Sequence, residues 1–296
     1  MVDVFIELDK FKDYIFIENG HKYVDTTTGE MLTSVTTKIK KYQEPFRSEY
    51  WSTFKALQAN GHMVFSDSSK GVPKNHIKLN NDSFLYTELL GRSNLFLVGT
   101  PSSIQEDWGY EANKGRIRGN LVHSYIENKW NNKIKIPTED LSFIKTQAEL
   151  DEFVASVRRC YKMVDEFFNE NIHLIPVSLE KVVGDRTLQI AGQIDAILYD
   201  KNTRLFHLYD YKTDKKFNKT NSYGSKFTKS LHKYDDCELN KYSIQVGMYK
   251  EILEKNTNLT FGDSYVIWFY HENPTYKLIK LKPFKQEVKK ILNDKT

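Results

Sequence analysis

Residues 190–212 read IAGQIDAILYDKNTRLFHLYDYK. Two apolar runs flank the polar segment Asp200-Lys201-Asn202-Thr203-Arg204, the pattern of a β-hairpin. Centred between Asn202 and Thr203, the hairpin sets Tyr199 opposite Phe206, Ile197 opposite Leu208 and Asp195 opposite Asp210. Directly opposed carboxylates repel each other, so this pair in an apolar hairpin calls for a compensating cation. Two hard oxygen donors suit Mg²⁺ or Mn²⁺ rather than a thiolate-seeking metal. Lys212 lies two residues beyond Asp210 and shares its strand face. Two aspartates and a lysine on one spot suit metal-assisted phosphodiester hydrolysis, in which the lysine orients water or stabilises developing charge. A lone Asp-x-Lys says little, since it recurs at Asp214 and Lys216, and its ordinary reading is a solvated strand end.

Outward from the hairpin, the apolar spacing predicts strands over 172–183, 187–199, 205–212, 264–270 and 276–281. It predicts helices over 116–130, 146–170, 240–254 and 285–292. Near the start, strands over 14–17 and 21–25 flank the turn Asn19-Gly20, and a helix follows with Thr33 or Ser34 as its N-cap. The fold class expected is α/β (α+β), with a central mixed sheet flanked by helices. The expected organisation is a strand-and-helix extension over 1–58, an insertion or lid-like subdomain over 59–107 and a core over 108–296. The middle stretch holds Gly, Pro, Asn and Ser around short apolar pieces such as Phe84-Leu85-Tyr86 and 95–98.

Further polar residues fall at telling intervals. Gly119, His123 and Glu127 recur every four residues and so share one helix face. Gly119 has no side chain to keep that helix from a sheet or a ligand. Glu180 precedes the hairpin, and Gly192-Gln193-Ile194 introduces Asp195. Gln245 and Tyr249 are another i,i+4 pair. Taken singly, each has an ordinary alternative: a surface histidine beside a solvated glutamate, or an interfacial polar pair.

Taken in order, these pieces resemble the PD-(D/E)XK nuclease superfamily, and within it the RecB-type exonuclease branch. The N-terminal run His21-Lys22-Tyr23, Gly29 and Ser34-Val35-Thr36-Thr37 is similar to that of the mitochondrial genome maintenance exonuclease and its phage and bacterial relatives. Trp108 fits the tryptophan that precedes the Gly-x-x-x-His motif there. The resemblance covers most of the chain except about 59–107 and part of 214–240. It implies a restriction-endonuclease-like core and DNA end processing. It implies His123, Asp195, Asp210 and the backbone carbonyl of Tyr211 as metal ligands, and Lys212 as the catalytic lysine. The resemblance places Glu127 and Glu180 in the catalytic set as outer partners of the metal. It implies that Gln245 and Tyr249 shape the site and contact the DNA backbone.

Only two cysteines, Cys160 and Cys237, are present. They rule out the four-cysteine iron–sulfur cluster that some such relatives carry, and a disulfide framework. The expected setting is therefore reducing and cytoplasmic, in a bacterium or a phage-infected cell, to which the Lys- and Asn-rich composition points. No apolar run reaches the ~18–20 residues of a membrane span, so no membrane partner is expected. A net charge of +4 permits a nucleic-acid partner without requiring one. Beyond Lys212, the residues Lys215, Lys216, Lys219, Lys226, Lys229 and Lys233 alternate with Phe217, Tyr223 and Phe227. They read either as a solvated loop or as contacts for phosphates and unpaired bases. The expected partner is DNA, single-stranded or with free ends, together with a recombination or replication protein. The alternatives are an endonuclease of the same superfamily and an inactive DNA-binding scaffold.

Overall fold

A computed structural model describes residues 3–66, 77–79, 93–131, 138–222 and 224–294. Phe84-Leu85-Tyr86 and Tyr223 lie outside the described residues. The chain divides into two compact units, one of Met1–Glu44 with Ile117–Thr296, the other of Pro45–Arg116.

The larger unit is built on an eight-stranded mixed sheet. Strands β1 (Tyr14–Ile17), β2 (Lys22–Asp25) and β3 (Met31–Ser34) form an antiparallel meander. The long strands β6 (Leu174–Asp185), β7 (Ile190–Asp200) and β8 (Leu205–Lys212) follow, then β9 (Phe261–Trp268) and β10 (Lys277–Lys280). The two short strands numbered between them, β4 (Val64–Phe65) and β5 (Ile77–Lys78), pair in parallel in the smaller unit.

The hairpin register is the expected one: Tyr199 faces Phe206 and Ile197 faces Leu208. Asp200 sets it. Its carboxylate accepts from the Asn202 amide at 2.7 Å and the Thr203 hydroxyl at 3.0 Å, closing the turn locally. The turn returns to extended chain through Arg204 at φ 59°.

One edge of β7 pairs with β6 along nearly its whole length. The other edge pairs antiparallel with β8 over 196–200 but parallel with β3 at Ile190 and Ala191. The sheet therefore forks on that edge between 191 and 196. Asp195 sits in the fork, and ladder pairing to β8 stops one residue short of the Asp195–Asp210 pair.

Helices cover both faces. On one side α2 (Val35–Lys40), α6 (Glu238–Asn256) and α7 (Lys285–Asn293) bury Val35, Ile244, Met248 and Val288 against Ile194, Ile197 and Leu208. On the other, α4 (Pro101–Asn131) and α5 (Gln147–Glu170) bury Val122, Ile126, Val164 and Phe167 against Ala196, Leu198, Tyr209 and Tyr211. Ser34 caps α2 by accepting from the Thr37 amide at 3.0 Å, as the sequence suggests. Two elements depart from the expectation. A short α1 (Val4–Asp9) is capped by Asp3, and α4 begins at Pro101 rather than near Arg116.

The smaller unit holds α3 (Ser48–Ala59), β4, β5 and the first half of α4. Tyr50, Phe54, Leu57 and Leu79 are its buried apolar centre. Among the described residues no helix is long and apolar enough to cross a membrane.

Candidate metal centre

The fork gathers side chains from four elements. His123 comes from α4, Glu180 from β6, Asp195 from β7, and Asp210 and Lys212 from β8. His123, Glu180 and Asp195 present donor atoms within 4.8 Å of one another. His123 Nδ1 lies 2.8 Å from Glu180 Oε1, and its Nε2 lies 3.7 Å from Asp195 Oδ2. Glu180 thus orients the imidazole through one nitrogen and leaves the other facing Asp195. A metal-ligating histidine is held in this way. Gln193, which in sequence merely leads up to Asp195, donates to Glu180 Oε2 at 2.6 Å.

Glu180 carries backbone strain. It sits in mid-strand at φ 50°, a left-handed conformation that non-glycine residues rarely adopt. The β6–β7 ladder pairs Leu179 with Ala196 and Lys181 with Ile194, skipping Glu180 opposite Asp195. Strain of this kind concentrates at functional sites.

Asp195 Oδ2 accepts the Tyr211 amide at 2.7 Å. Asp210 is 3% exposed and lies outside the trio. Strand alternation sends it with Lys212 toward α6, where the ammonium stands 4.8 Å over the Tyr242 ring. Lys212 Nζ lies 2.5 Å from Asp210 Oδ2 in a close, buried ion pair. It also donates to the Tyr211 carbonyl at 3.1 Å.

The electrostatics follow from crowding buried charge. Burial pushes the Asp195 and Asp210 carboxyls above their usual range, and Lys212 and His123 pull them back. Burial works against charging His123, but Asp195 and the Glu180 hydrogen bond outweigh it and raise its pKa to about 9. Burial likewise opposes charging Lys212, yet Asp210 and Asp195 hold it protonated. Burial, then Asp195 and Glu180, raise the Tyr23 phenol to about 12, which places β2 beside the site. The donor set, crowded carboxylates and one imidazole, fits a hard divalent cation.

The remaining candidates separate. Glu127, one turn beyond His123, is half-buried and stands outside the trio. Tyr249 is 4% exposed, so it supports the site from within rather than presenting a face to a ligand. A Cβ on Gly192 would lie 2.4 Å from Tyr249 Cε1, so glycine is required there for the ring to lie against β7. Gln245 Nε2 donates to the Tyr249 hydroxyl at 3.3 Å. At Gly119 a Cβ would meet Thr213 Oγ1 at an ordinary 3.7 Å, so packing alone does not demand glycine there. Lys215, Lys216 and Lys219 are exposed and make no ion pair among the described residues. Lys226 lies 3.9 Å from Asp235, and Lys233 lies 3.5 Å from Glu287. Phe227 is 2% exposed and belongs to the core, so it is no stacking platform for bases. Phe217 packs on Tyr242 and Trp268. Both cysteines are buried and free.

No protein-family model matches the chain, and no curated protein matches it. Among solved structures it is similar to a protein from Eubacterium rectale named "putative exonuclease". The two are 15% identical over 84% of this chain and 82% of that one, with a TM-score of 0.36. That likeness is too loose to fix a family.

Proposed function

We propose that the chain is a divalent-metal-dependent deoxyribonuclease of PD-(D/E)XK type, close to the RecB-like exonucleases. It would hydrolyse phosphodiester bonds from the ends of single-stranded or end-frayed DNA. The observation that supports this most is the fork itself. One break in the sheet brings together a histidine, three carboxylates and a lysine that lie up to 89 residues apart, from His123 to Lys212.

On this reading His123, Asp195, Asp210 and the Tyr211 carbonyl hold Mg²⁺ or Mn²⁺, which when bound polarises a phosphoryl oxygen and acidifies water. Glu180, fixed by Gln193, orients His123. Lys212, kept protonated by its aspartates, orients the attacking water or stabilises negative charge at the phosphorus. Exposed Lys215, Lys216 and Lys219 follow directly in the chain and supply phosphate contacts. Glu127 acts as an outer partner of the metal from the same helix. A recombination or replication protein is the fitting partner class, and a phage or bacterial cytoplasm the fitting setting.

The test is cleavage of end-labelled linear single-stranded DNA beside circular single-stranded DNA, with Mg²⁺ or Mn²⁺. The exonuclease reading requires loss of the linear strand alone, with release of 5′ or 3′ label giving polarity. Cutting of the circle reassigns the protein as an endonuclease. Binding without cleavage at any metal concentration leaves a DNA-binding scaffold.

A further inference from the structure

A second charged cluster lies on the α4–α5 side of the sheet. Arg118 is 8% exposed, yet its guanidinium has no carboxylate partner among the described residues. Among the described residues its hydrogen bond runs from Nη1 to Ser156 Oγ at 3.4 Å, and that hydroxyl donates to the Phe153 carbonyl at 2.6 Å. Nε is sealed from solvent with no partner among the described residues. Arginine stays charged under all such conditions, and an unpaired buried charge is strongly destabilising.

The surroundings repeat the pattern. Among the described residues, His271 in the turn after β9 has a sealed and unpaired Nδ1, and two residues on Asn273 Nδ2 is sealed and unpaired as well. Burial first, then the positive charges of Arg118 and Arg159, push the His271 imidazole down to about 4, so it is neutral. The carboxylates that act on His271 are Glu272 and Glu152, both on exposed side chains, and neither pairs with Arg118. Ser156 ties Arg118 to α5, and one turn on Cys160 Sγ donates to the Phe269 carbonyl at 3.0 Å, so the β9 turn lies on the same helix. Among the described residues no carboxylate pairs with either arginine, and the one near His271 is Glu272, 4.0 Å from its Nε2.

We propose that Arg118, Arg159 and His271 form a phosphate site. A guanidinium fork matches two oxygens of a tetrahedral phosphate, and a neutral imidazole N–H supplies a third donor. The site neighbours the metal centre. Arg118 precedes Gly119, which abuts Thr213, the residue after Lys212. Five residues of helix, a rise of about 7.5 Å, separate Arg118 from His123. Identifying the ligand as a phosphate of the bound DNA strand rests on the nuclease reading above; the anion site itself does not.

The experiment needs no turnover. Thermal unfolding of the full chain is followed in EDTA, with inorganic phosphate against chloride at equal ionic strength, for wild type, Arg118→Met and Arg159→Ala. The wild-type Tm should rise saturably with phosphate. Arg118→Met should melt no lower than wild type without phosphate and lose the rise. Arg159→Ala should need several-fold more phosphate. An Arg118→Met protein that melts far below wild type, or that responds equally to phosphate, overturns the site. Should that variant not fold, an unchanged phosphate midpoint in Arg159→Ala overturns it. Binding of 5′-phosphorylated and 5′-hydroxyl oligonucleotides in EDTA then separates the sources. A terminal phosphate predicts that Arg159→Ala erases the preference for the phosphorylated end. An internal phosphodiester predicts equal several-fold losses for both, and no loss for either overturns the strand assignment. Failure to cleave DNA would overturn the nuclease reading while leaving the phosphate response intact.

Discussion

At the scale of single residues, Lys212 lets two buried carboxylates share the fork. Lys212→Ala should lower cleavage by orders of magnitude while metal binding falls only modestly, as isothermal titration with Mn²⁺ would register. Glu180 separates two roles in one side chain. Glu180→Gly removes a backbone cost of about 1–3 kcal/mol but releases His123 and Gln193. The variant should therefore unfold at higher urea than Glu180→Ala, with both losing activity alike. Equal stability of the two would mean that the left-handed backbone at 180 costs nothing. Gly192→Ala drives a methyl into the Tyr249 ring and should cost about 1–3 kcal/mol, read from the urea midpoint. These roles were unevenly legible. Asp195, Asp210 and Lys212 stand out because opposed acids in an apolar hairpin are anomalous on their face. Gln193 and the strain at Glu180 leave no such mark, because both depend on how β6 lies against β7. Phe227 shows the converse failure: aromatic residues in a basic segment look like a base-stacking surface, yet burial of apolar area draws this one inward.

At the scale of elements, local chemistry sets what could be read. The hairpin register follows from strand period and from the Asp200 turn, both local, and so was legible. The start of α4 was obscured by Gly109 and Gly115, which punctuate a helix that neighbouring packing nonetheless sustains. The short β3 gains its identity from Ile190 and Ala191, more than 150 residues away. Helix α5 carries a full capping box, in which Thr146 accepts the Glu149 amide and Glu149 accepts the Thr146 amide, each at 3.2 Å. Thr146→Ala should therefore cost about 1 kcal/mol, measured by denaturant unfolding. The β6–β7 turn is tied to the end of α6 through Asp185. Burial alone would raise that carboxyl. Lys255, Thr187, Asn256 and the Leu188 amide instead hold it at about 2, below its ordinary 3.8. A depressed carboxyl contributes stability above its unfolded pKa, and the contribution fades as pH falls toward the folded value. The stability gap between wild type and Asp185→Asn should thus be full at about pH 5 and shrink toward about pH 2. A gap independent of pH would show that the ion pair carries no net stabilisation.

At the scale of the whole molecule, the mixed sheet with helices on both faces was legible from the alternation of helical and strand periods. The fork was not, because it arises where two distant segments, β3 and β8, meet on one edge of β7. That fork is where the proposed chemistry would take place. An unbroken β7–β8 ladder would fill the space with paired backbone, whereas the gap between 191 and 196 opens room for side chains from both layers. A divalent ion is expected to occupy that gap. The most direct measurement is an anomalous difference map from crystals of the full chain soaked in Mn²⁺. A peak bounded by His123 Nε2, Asp195 and Asp210, and lost in Asp195→Asn, is the result expected. A peak away from the fork, or one that survives Asp195→Asn, would contradict it.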